Sequence, residues 1–186
     1  PALYGHTDIN VEEHIQKNIA HKVKSKNWQL GHIITSPLKR CFDLSNIIKK
    51  EHPLAIFSIN NNLMEMNFGD YDGVPFEHLS PESCNKLNSF WASPAEFTLK
   101  NAESLDNFHK RVINAWELII GQLKRDALIV CHGGVIRLLL AHALELDWRQ
   151  PTWYSALRIE YQSLSHIQLI IDKGVHYTVR SISSII

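Results

Sequence analysis

The sequence lacks a long apolar run and has no excess of charge of either sign. Lys and Arg together number 19, as do Asp and Glu, so the formal net charge is zero. This balance argues against nucleic-acid binding through bulk basicity. No apolar run approaches the roughly 20 residues that a membrane-spanning helix requires. We therefore expect a protein that binds neither nucleic acid nor membrane.

Cysteine is also scarce, and its spacing argues against two kinds of architecture. The three cysteines, Cys41, Cys84 and Cys131, are an odd number whose spacing suits neither a disulfide framework nor a zinc site. No basic and apolar signal segment opens the sequence, so we expect a cytoplasmic location. The first residue is Pro1 rather than methionine, which favours a start that is processed, trimmed or incomplete.

What the sequence does contain is an alternation of short apolar strands with amphipathic helices. The predicted strands are 30–36, 54–59 and 127–131, the helices are 11–26, 37–50, 105–123 and 135–146, and a hairpin covers 165–182. This order predicts an α/β fold, a three-layer α/β/α sandwich with a mostly parallel sheet and an antiparallel C-terminal edge. We expect a single domain over 1–186 with an irregular cap insertion at about 74–102.

A basic motif follows the first predicted strand, where α/β proteins collect their chemistry. In Ser36-Pro37-Leu38-Lys39-Arg40, Pro37 fits the first helical position with Ser36 as its cap. Arg40 then lies in the first helical turn, where its planar guanidinium can hold two phosphate oxygens. The alternative is a solvated arginine, and this motif alone does not decide between the two.

A second motif leads from the third predicted strand into a helix. Within Cys131-His132-Gly133-Gly134, Gly133 allows a ligand to approach the backbone closely. His132 can donate to a phosphate oxygen or act as an acid or base. The alternative is a core histidine bonded to a carbonyl group, but the two adjacent glycines favour a functional role.

Two further segments carry polar residues in unusual surroundings. Glu65 lies among Leu63, Met64, Met66 and Phe68, which can desolvate its carboxyl group, raise its pKa and make it a proton donor. A surface turn is nearly as good an interpretation. Ahead of the first helix, Tyr4-Gly5-His6-Thr7-Asp8 fits either a phosphate-contacting loop or a capping turn.

Taken in this order, the four motifs resemble the histidine phosphatase superfamily, also called phosphoglycerate-mutase-like, over the whole chain. The segments Gly5–Asp8 and Phe68–Gly73 look most like the bacterial α-ribazole-5'-phosphate phosphatase branch. The resemblance implies phosphomonoester hydrolysis through a phosphohistidine, with a small phosphorylated metabolite as the substrate and no metal or other cofactor. At its most specific it implies α-ribazole-5'-phosphate dephosphorylation in cobalamin biosynthesis.

The resemblance also implies roles for individual residues. Glu65 and His132 are the expected catalytic residues, the first as a proton donor and the second as a stabiliser of charge on the phosphoryl group. Arg40 and Gly133 are expected to bind phosphate. The remaining substrate contacts are expected from Gly5 and Thr7.

One departure from the family pattern leaves three interpretations open. The family's nucleophilic histidine lies in an Arg-His-Gly motif on a central first strand, and this sequence contains no Arg-His-Gly. We expect that strand to be missing from an incomplete record, because its loss would leave unpaired backbone groups in the sheet. The alternatives are a pseudophosphatase that only binds phosphate, and a cysteine-dependent phosphatase using Cys131 and Arg137 in a Cys-x-x-Gly-x-x-Arg pattern.

Overall fold

The computed structural model describes all residues from 1 to 186, and its elements alternate as predicted. In chain order they are α1 (Glu13–Ser25), β1 (His32–Thr35), α2 (Lys39–Glu51), β2 (Ile56–Ile59), α3 (Pro81–Ala92), α4 (Leu105–Gln122), β3 (Ala127–Val130), α5 (Gly133–Ala143), α6 (Pro151–Ala156), β4 (Ser163–Ile171) and β5 (Val175–Ile185). None of the helices has both the length and the apolarity needed to cross a bilayer. The α/β class is confirmed.

Three of the strands form a parallel sheet in the order β2-β1-β3. Ile33 on the central strand pairs with Phe57 on one side and Leu128 on the other. The last two strands form an antiparallel hairpin, which is a separate two-stranded sheet. The predicted parallel sheet with an antiparallel C-terminal part is therefore present.

Helices cover both faces of the parallel sheet, because alternate strand residues point to opposite sides. Ile33 packs with Val23 of α1 and Ile48 of α2 in one apolar cluster. Its neighbour Ile34 belongs to a larger cluster on the other face, built mainly from α4 and α5. Val135 in α5 is fully buried there. The sheet is thus the middle layer of three.

One edge of β3 carries backbone groups that pair with no strand. The backbone N–H of Ser36 donates to the carbonyl of Val130 at 3.0 Å, so Val130 faces β1. By the alternation of a parallel ladder, the N–H and C=O groups of Ile129 face the opposite edge. The hairpin packs on both apolar clusters, through Leu164 on one face and Leu169 on the other. It therefore lies in the layer of the sheet, yet no ladder joins it to β3.

The predicted Ser36 cap is wrong, and a tertiary contact replaces it. At the first helix, α1 begins after Glu12, later than the predicted residue 11, and no side chain caps it. At the second, α2 begins at Lys39 rather than at Pro37. The backbone N–H of Lys39 donates to Asp8 Oδ1 at 2.7 Å, so a carboxylate distant in sequence caps this helix.

The stretch 74–102, expected to be irregular, contains a regular helix. Pro81 occupies the start of α3, and the Ser80 side chain caps it by accepting from the Ser83 N–H. Leu87 and Phe90 of this helix are buried in the larger apolar cluster. Part of the stretch therefore packs against the larger apolar cluster through these two side chains.

Candidate active site

The Gly5–Thr7 loop lies at the site because a distant carboxylate organises it. Asp72 accepts three successive backbone N–H bonds, from Gly5 at 3.1 Å, His6 at 2.7 Å and Thr7 at 2.9 Å. A fourth bond comes from the Phe68 N–H at 3.2 Å. Partial burial works to raise the pKa of Asp72, but these bonds outweigh it and hold the pKa below its usual value. The loop is thus wrapped around an ionised carboxylate.

Arg40 joins this loop to the end of the parallel sheet. Its Nη2 donates to the Gly5 carbonyl at 2.7 Å and to the Tyr4 carbonyl at 3.2 Å, and its Nη1 donates to the Thr7 carbonyl at 3.0 Å. Its Nε donates to Nδ1 of His132 at 3.2 Å. Since Nη1 has two N–H groups and only one of them is used, Arg40 keeps a donor for a ligand oxygen.

His132 follows β3 and is buried, with only 6% of its surface exposed. Burial and then the nearby charge of Arg40 lower the pKa of His132 to about 3, so its ring is neutral at physiological pH. Because Arg40 Nε is a donor, Nδ1 must accept, and the ring proton lies on Nε2. That Nε2–H donates to Ser36 Oγ at 2.8 Å. The Nε2–H of neutral His132, which follows β3, therefore reaches Ser36, which follows β1.

Glu65 approaches the same place from the loop that follows β2. Its Oε2 accepts from the Gly134 N–H at 3.0 Å, and its Oε1 accepts from the Met66 N–H at 3.1 Å. Burial raises the pKa of Glu65, although the bonds from Gly134 and Met66 and the charges of Arg40 and Arg137 oppose this. A carboxyl group with a raised pKa can hold a proton and donate it.

The close approach of Glu65 to α5 depends on a glycine. A Cβ on Gly134 would overlap the Glu65 carboxylate, and it would also be 3.1 Å from the Phe108 ring. At Gly133 the crowding is milder, since a Cβ there would be 3.3 Å from Nη1 of Arg137. The two glycines therefore admit the side chains around the start of α5.

Arg111 on α4 fixes the loop that carries Glu65. It forms an ion pair with Glu103, whose Oε1 accepts from Arg111 Nε at 2.7 Å, and both side chains are largely buried. Its Nη1 and Nη2 donate to the carbonyls of Met64 and Glu65 at 2.8 and 2.9 Å. These bonds hold the backbone on either side of Glu65, so Arg111 acts on the site by positioning it.

The structure brings the predicted site residues together around the ends of β1 and β3. The contacts above connect Gly5, Thr7, Arg40 and His132 directly, and Glu65 joins them at the start of α5 beside Gly133. Their roles stay predictions, which the substitutions proposed below test.

Sequence reasoning missed two organising residues. Asp72 lies within the Phe68–Gly73 segment, and its bonds to Gly5 and Thr7 span more than 60 residues of sequence. Arg111 stands within the apolar stripe of α4 and gave no signal at all. Neither pairing follows a local spacing, so only the fold reveals them.

The cysteine alternative disagrees with the environment of its nucleophile. Burial raises the pKa of the Cys131 thiol above its ordinary value, whereas a nucleophilic cysteine needs a lowered one. Burial also raises the pKa of Cys41 to about 12. Arg137 binds the Leu157 carbonyl through Nε and Nη2, at 3.1 and 3.0 Å. The surroundings of Cys131 thus disfavour a nucleophilic thiolate, which argues against the alternative of a cysteine-dependent phosphatase.

No group of three or more His, Cys, Asp or Glu side chains in the structure has a geometry that would hold a metal ion. The positive charge beside His132 and Glu65 comes instead from arginine. Arg40 contacts His132 directly, and the charge of Arg137 acts on Glu65. Arginine and neutral N–H donors are groups that bind phosphate oxygens.

Comparison with known families agrees with this arrangement of residues. The family model of the histidine phosphatase superfamily (branch 1) matches residues 2–178. The chain belongs to that superfamily, as its four motifs predicted.

The relatives include both mutase-like proteins and phosphatases. Phosphoglycerate mutase-like protein 4 of Arabidopsis thaliana is 26% identical over 146 residues, which is 76% of this chain and 63% of that protein. The chain thus spans less than two thirds of that relative. A mycobacterial glucosyl-3-phosphoglycerate phosphatase superposes with a TM-score of 0.82 at 18% identity, covering 100% of this chain and 93% of its own. The α-ribazole phosphatase of Shigella flexneri superposes with a TM-score of 0.78 at 21% identity, covering 99% and 90%. At these identities the two structures show a shared fold.

Proposed function

We propose that this chain supplies the phosphate-binding and proton-donating parts of a phosphomonoester hydrolase that acts through a phosphohistidine. The observation that carries the proposal is the meeting of Arg40, His132 and Glu65 at the ends of β1 and β3. Arg40 has a free N–H that suits a phosphoryl oxygen, and His132 can offer its Nε2–H to a second one by exchanging its bond to Ser36 Oγ. Glu65, with its raised pKa, suits protonation of the leaving alkoxide.

In this proposal the reaction has two steps. A histidine nitrogen attacks phosphorus while Glu65 gives its proton to the departing ester oxygen, which leaves as an alcohol. Glu65, now a carboxylate, then removes a proton from a water molecule. That water attacks the phosphohistidine, releases inorganic phosphate and frees the histidine. Arg40 and His132 stabilise the charge on the phosphoryl oxygens throughout.

We further propose that the nucleophilic histidine comes from a strand that pairs with the open edge of β3. The unpaired N–H and C=O of Ile129 offer such a strand hydrogen bonds. Tyr4, whose carbonyl binds Arg40, is three residues from Pro1, a reach of about 10 Å for extended chain. A strand that ends near Pro1 therefore delivers its last residues to the site.

The experiment fuses a short apolar strand ending in Arg-His-Gly ahead of Pro1. We expect hydrolysis of an aryl phosphate in the presence of a chelator, and we expect slower hydrogen exchange at the Ile129 amide. The matched control carries Arg-Ala-Gly, which should protect Ile129 equally but hydrolyse nothing. If the histidine fusion protects Ile129 and remains inactive, the chain is a phosphate-binding module and the hydrolase proposal fails.

The substrate proposed for the first trial is α-ribazole-5'-phosphate. The support comes from the likeness of the Gly5–Asp8 and Phe68–Gly73 segments to that branch, and from the shared fold with the Shigella flexneri enzyme. The trial measures kcat/KM for α-ribazole-5'-phosphate against phosphoserine and 3-phosphoglycerate. We expect a preference of at least tenfold for the ribazole ester, and equal values would remove this substrate.

A further inference from the structure

Three arginines surround the site, and they differ in how many of their nitrogens the protein occupies. Every guanidinium nitrogen of Arg40 donates to a protein acceptor, as does every one of Arg111. Arg137 donates only through Nε and Nη2, both to the Leu157 carbonyl. Its Nη1 has no acceptor, and it is not among the buried atoms that lack one. The protein therefore holds Arg137 through two of its three guanidinium nitrogens, and the third, Nη1, stays accessible to a ligand.

The free nitrogen lies at the end of α5 that carries the site. Long side chains on a helix point back towards its N-terminus, and Gly133 is one turn before Arg137. A Cβ on Gly133 would be 3.3 Å from Nη1, so the guanidinium lies beside that glycine, next to His132. Gly134, which follows, donates to Glu65. Nη1 thus lies near the start of α5, where Glu65 binds, and the positive charge of Arg137 acts on Glu65.

We propose that Arg137 determines specificity by binding, through Nη1, an oxygen atom of the leaving group of the substrate. This inference rests on the proposed phosphate site. If Arg40 and His132 hold the phosphoryl group and Glu65 faces the ester oxygen, the atoms beyond that oxygen are the ones that meet Arg137. The two bonds to Leu157 hold the guanidinium in place before a ligand binds, which lowers the entropy cost of the contact.

The chemistry of a guanidinium sets the order of preference. A charged donor binds a carboxylate more strongly than a neutral hydroxyl, and it gains nothing from a hydrocarbon. The chain should therefore bind phosphoglycolate most tightly, 2-hydroxyethyl phosphate next and ethyl phosphate least. These three probes share the phosphate and differ only in the group that Nη1 would contact.

The test measures the dissociation constants of the three probes by calorimetry on this chain, which requires no turnover. We expect phosphoglycolate to bind at least tenfold more tightly than ethyl phosphate, and Arg137→Met to reduce that ratio to less than threefold. Binding of ethyl phosphate to the variant should change by less than threefold. Arg137→Lys, which keeps the charge without the fork geometry, should retain a ratio between these values.

One control separates the contact from general effects of charge. Arg180→Met removes one exposed positive charge from β5 and should keep the wild-type ratio.

Each outcome decides the proposal. Equal binding of phosphoglycolate and ethyl phosphate by the wild-type chain overturns the role of Arg137 and leaves the phosphate site intact. A wild-type ratio that survives Arg137→Met overturns it as well. If neither probe binds, the phosphate site and the role of Arg137 both fail, whereas a failure of hydrolysis alone leaves the binding ratio unaffected.

Discussion

Single residues at this site have their protonation set by burial more than by their neighbours' charges. Glu65 has a raised pKa although two cationic side chains and two backbone N–H groups work in the other direction. Burial, and then the positive charge of Arg40, lower the pKa of His132, so its ring is neutral. The raised pKa of Glu65 favours its protonated form, and the lowered pKa of His132 favours its neutral form. These are the states that proton donation and neutral hydrogen-bond donation need.

Glu65→Gln tests the proton-donor role in the fused protein that carries the Arg-His-Gly strand. Proton donation matters most for basic leaving groups, so the variant should lose about 100-fold or more in turnover of an alkyl phosphate. The loss on an aryl phosphate, whose phenolate leaves more easily, should be clearly smaller. Steady-state rates for the two esters provide the measurement. Equal losses on both esters would remove Glu65 from this role.

Local surroundings made Arg40 and His132 candidates because they follow predicted strands, and Glu65 a candidate because it lies among apolar residues. Their assignment to one site came from the resemblance to a family, and their roles stay predictions. The sequence could not identify Asp72 or Arg111, whose partners are chosen by the tertiary fold. Ser36 shows the reason at the scale of one side chain. Its Oγ accepts from His132, so the buried imidazole takes the oxygen that local rules had assigned to a helix cap.

Among the elements, helix α5 carries the closest packing of the site. Its first turn has no side chain at Gly133 or Gly134, so the Glu65 carboxylate reaches the backbone N–H of Gly134. Two glycines weaken the start of a helix, since they lose more chain entropy on folding than other residues. The contact with Glu65 and the burial of Val135 and Leu138 offset this cost.

Gly134→Ala should destabilise the fold and displace Glu65. The new Cβ would overlap the carboxylate and press on Phe108, and overpacking of this kind costs about 1 to 3 kcal/mol. Gly121→Ala is the matched control, because Gly121 lies in α4 with open space around it. That change should stabilise the protein by roughly 0.5 kcal/mol. Urea unfolding of both variants gives the comparison, and equal effects would contradict the packing argument.

The elements also show where periodicity is a sound guide and where it fails. The apolar stripe of α4 predicted a helix at 105–123, and the helix ends one residue earlier, at Gln122. Periodicity failed for α3, because its proline-rich flanks and mixed composition hid a helix with only two buried residues. It also could not show that the final hairpin stays unpaired from β3. Pairing between strands depends on distances that one-dimensional patterns do not contain.

Across the whole molecule, two apolar layers enclose a sheet that is interrupted between β3 and the hairpin. Both apolar clusters extend beyond the edge of β3, because the hairpin packs on each of them. The fold is thus held by its side-chain clusters even where the backbone ladder stops. A domain of this kind should unfold as one unit, so the protonation of a single buried group affects its global stability.

The buried His132 should make the protein less stable in mild acid. Its pKa is about 3 in the fold and about 6.5 in an unfolded chain, so between these values the unfolded state binds one more proton. The stabilising contribution of the neutral ring is complete above pH 6.5 and is lost as the pH falls towards 3. Its slope is about 1.4 kcal/mol per pH unit.

Urea unfolding at pH values from 7 to 4 measures this slope as the difference between wild type and His132→Gln. The variant cannot take up that proton on unfolding, so its free energy of unfolding should fall less steeply with decreasing pH, by about 1.4 kcal/mol per unit below pH 6. His176→Gln removes a histidine from the exposed surface of β5 and provides the control curve. Because both variants lose one histidine, only the buried position distinguishes them. Parallel curves for wild type and His132→Gln would mean that the ring titrates normally in the fold.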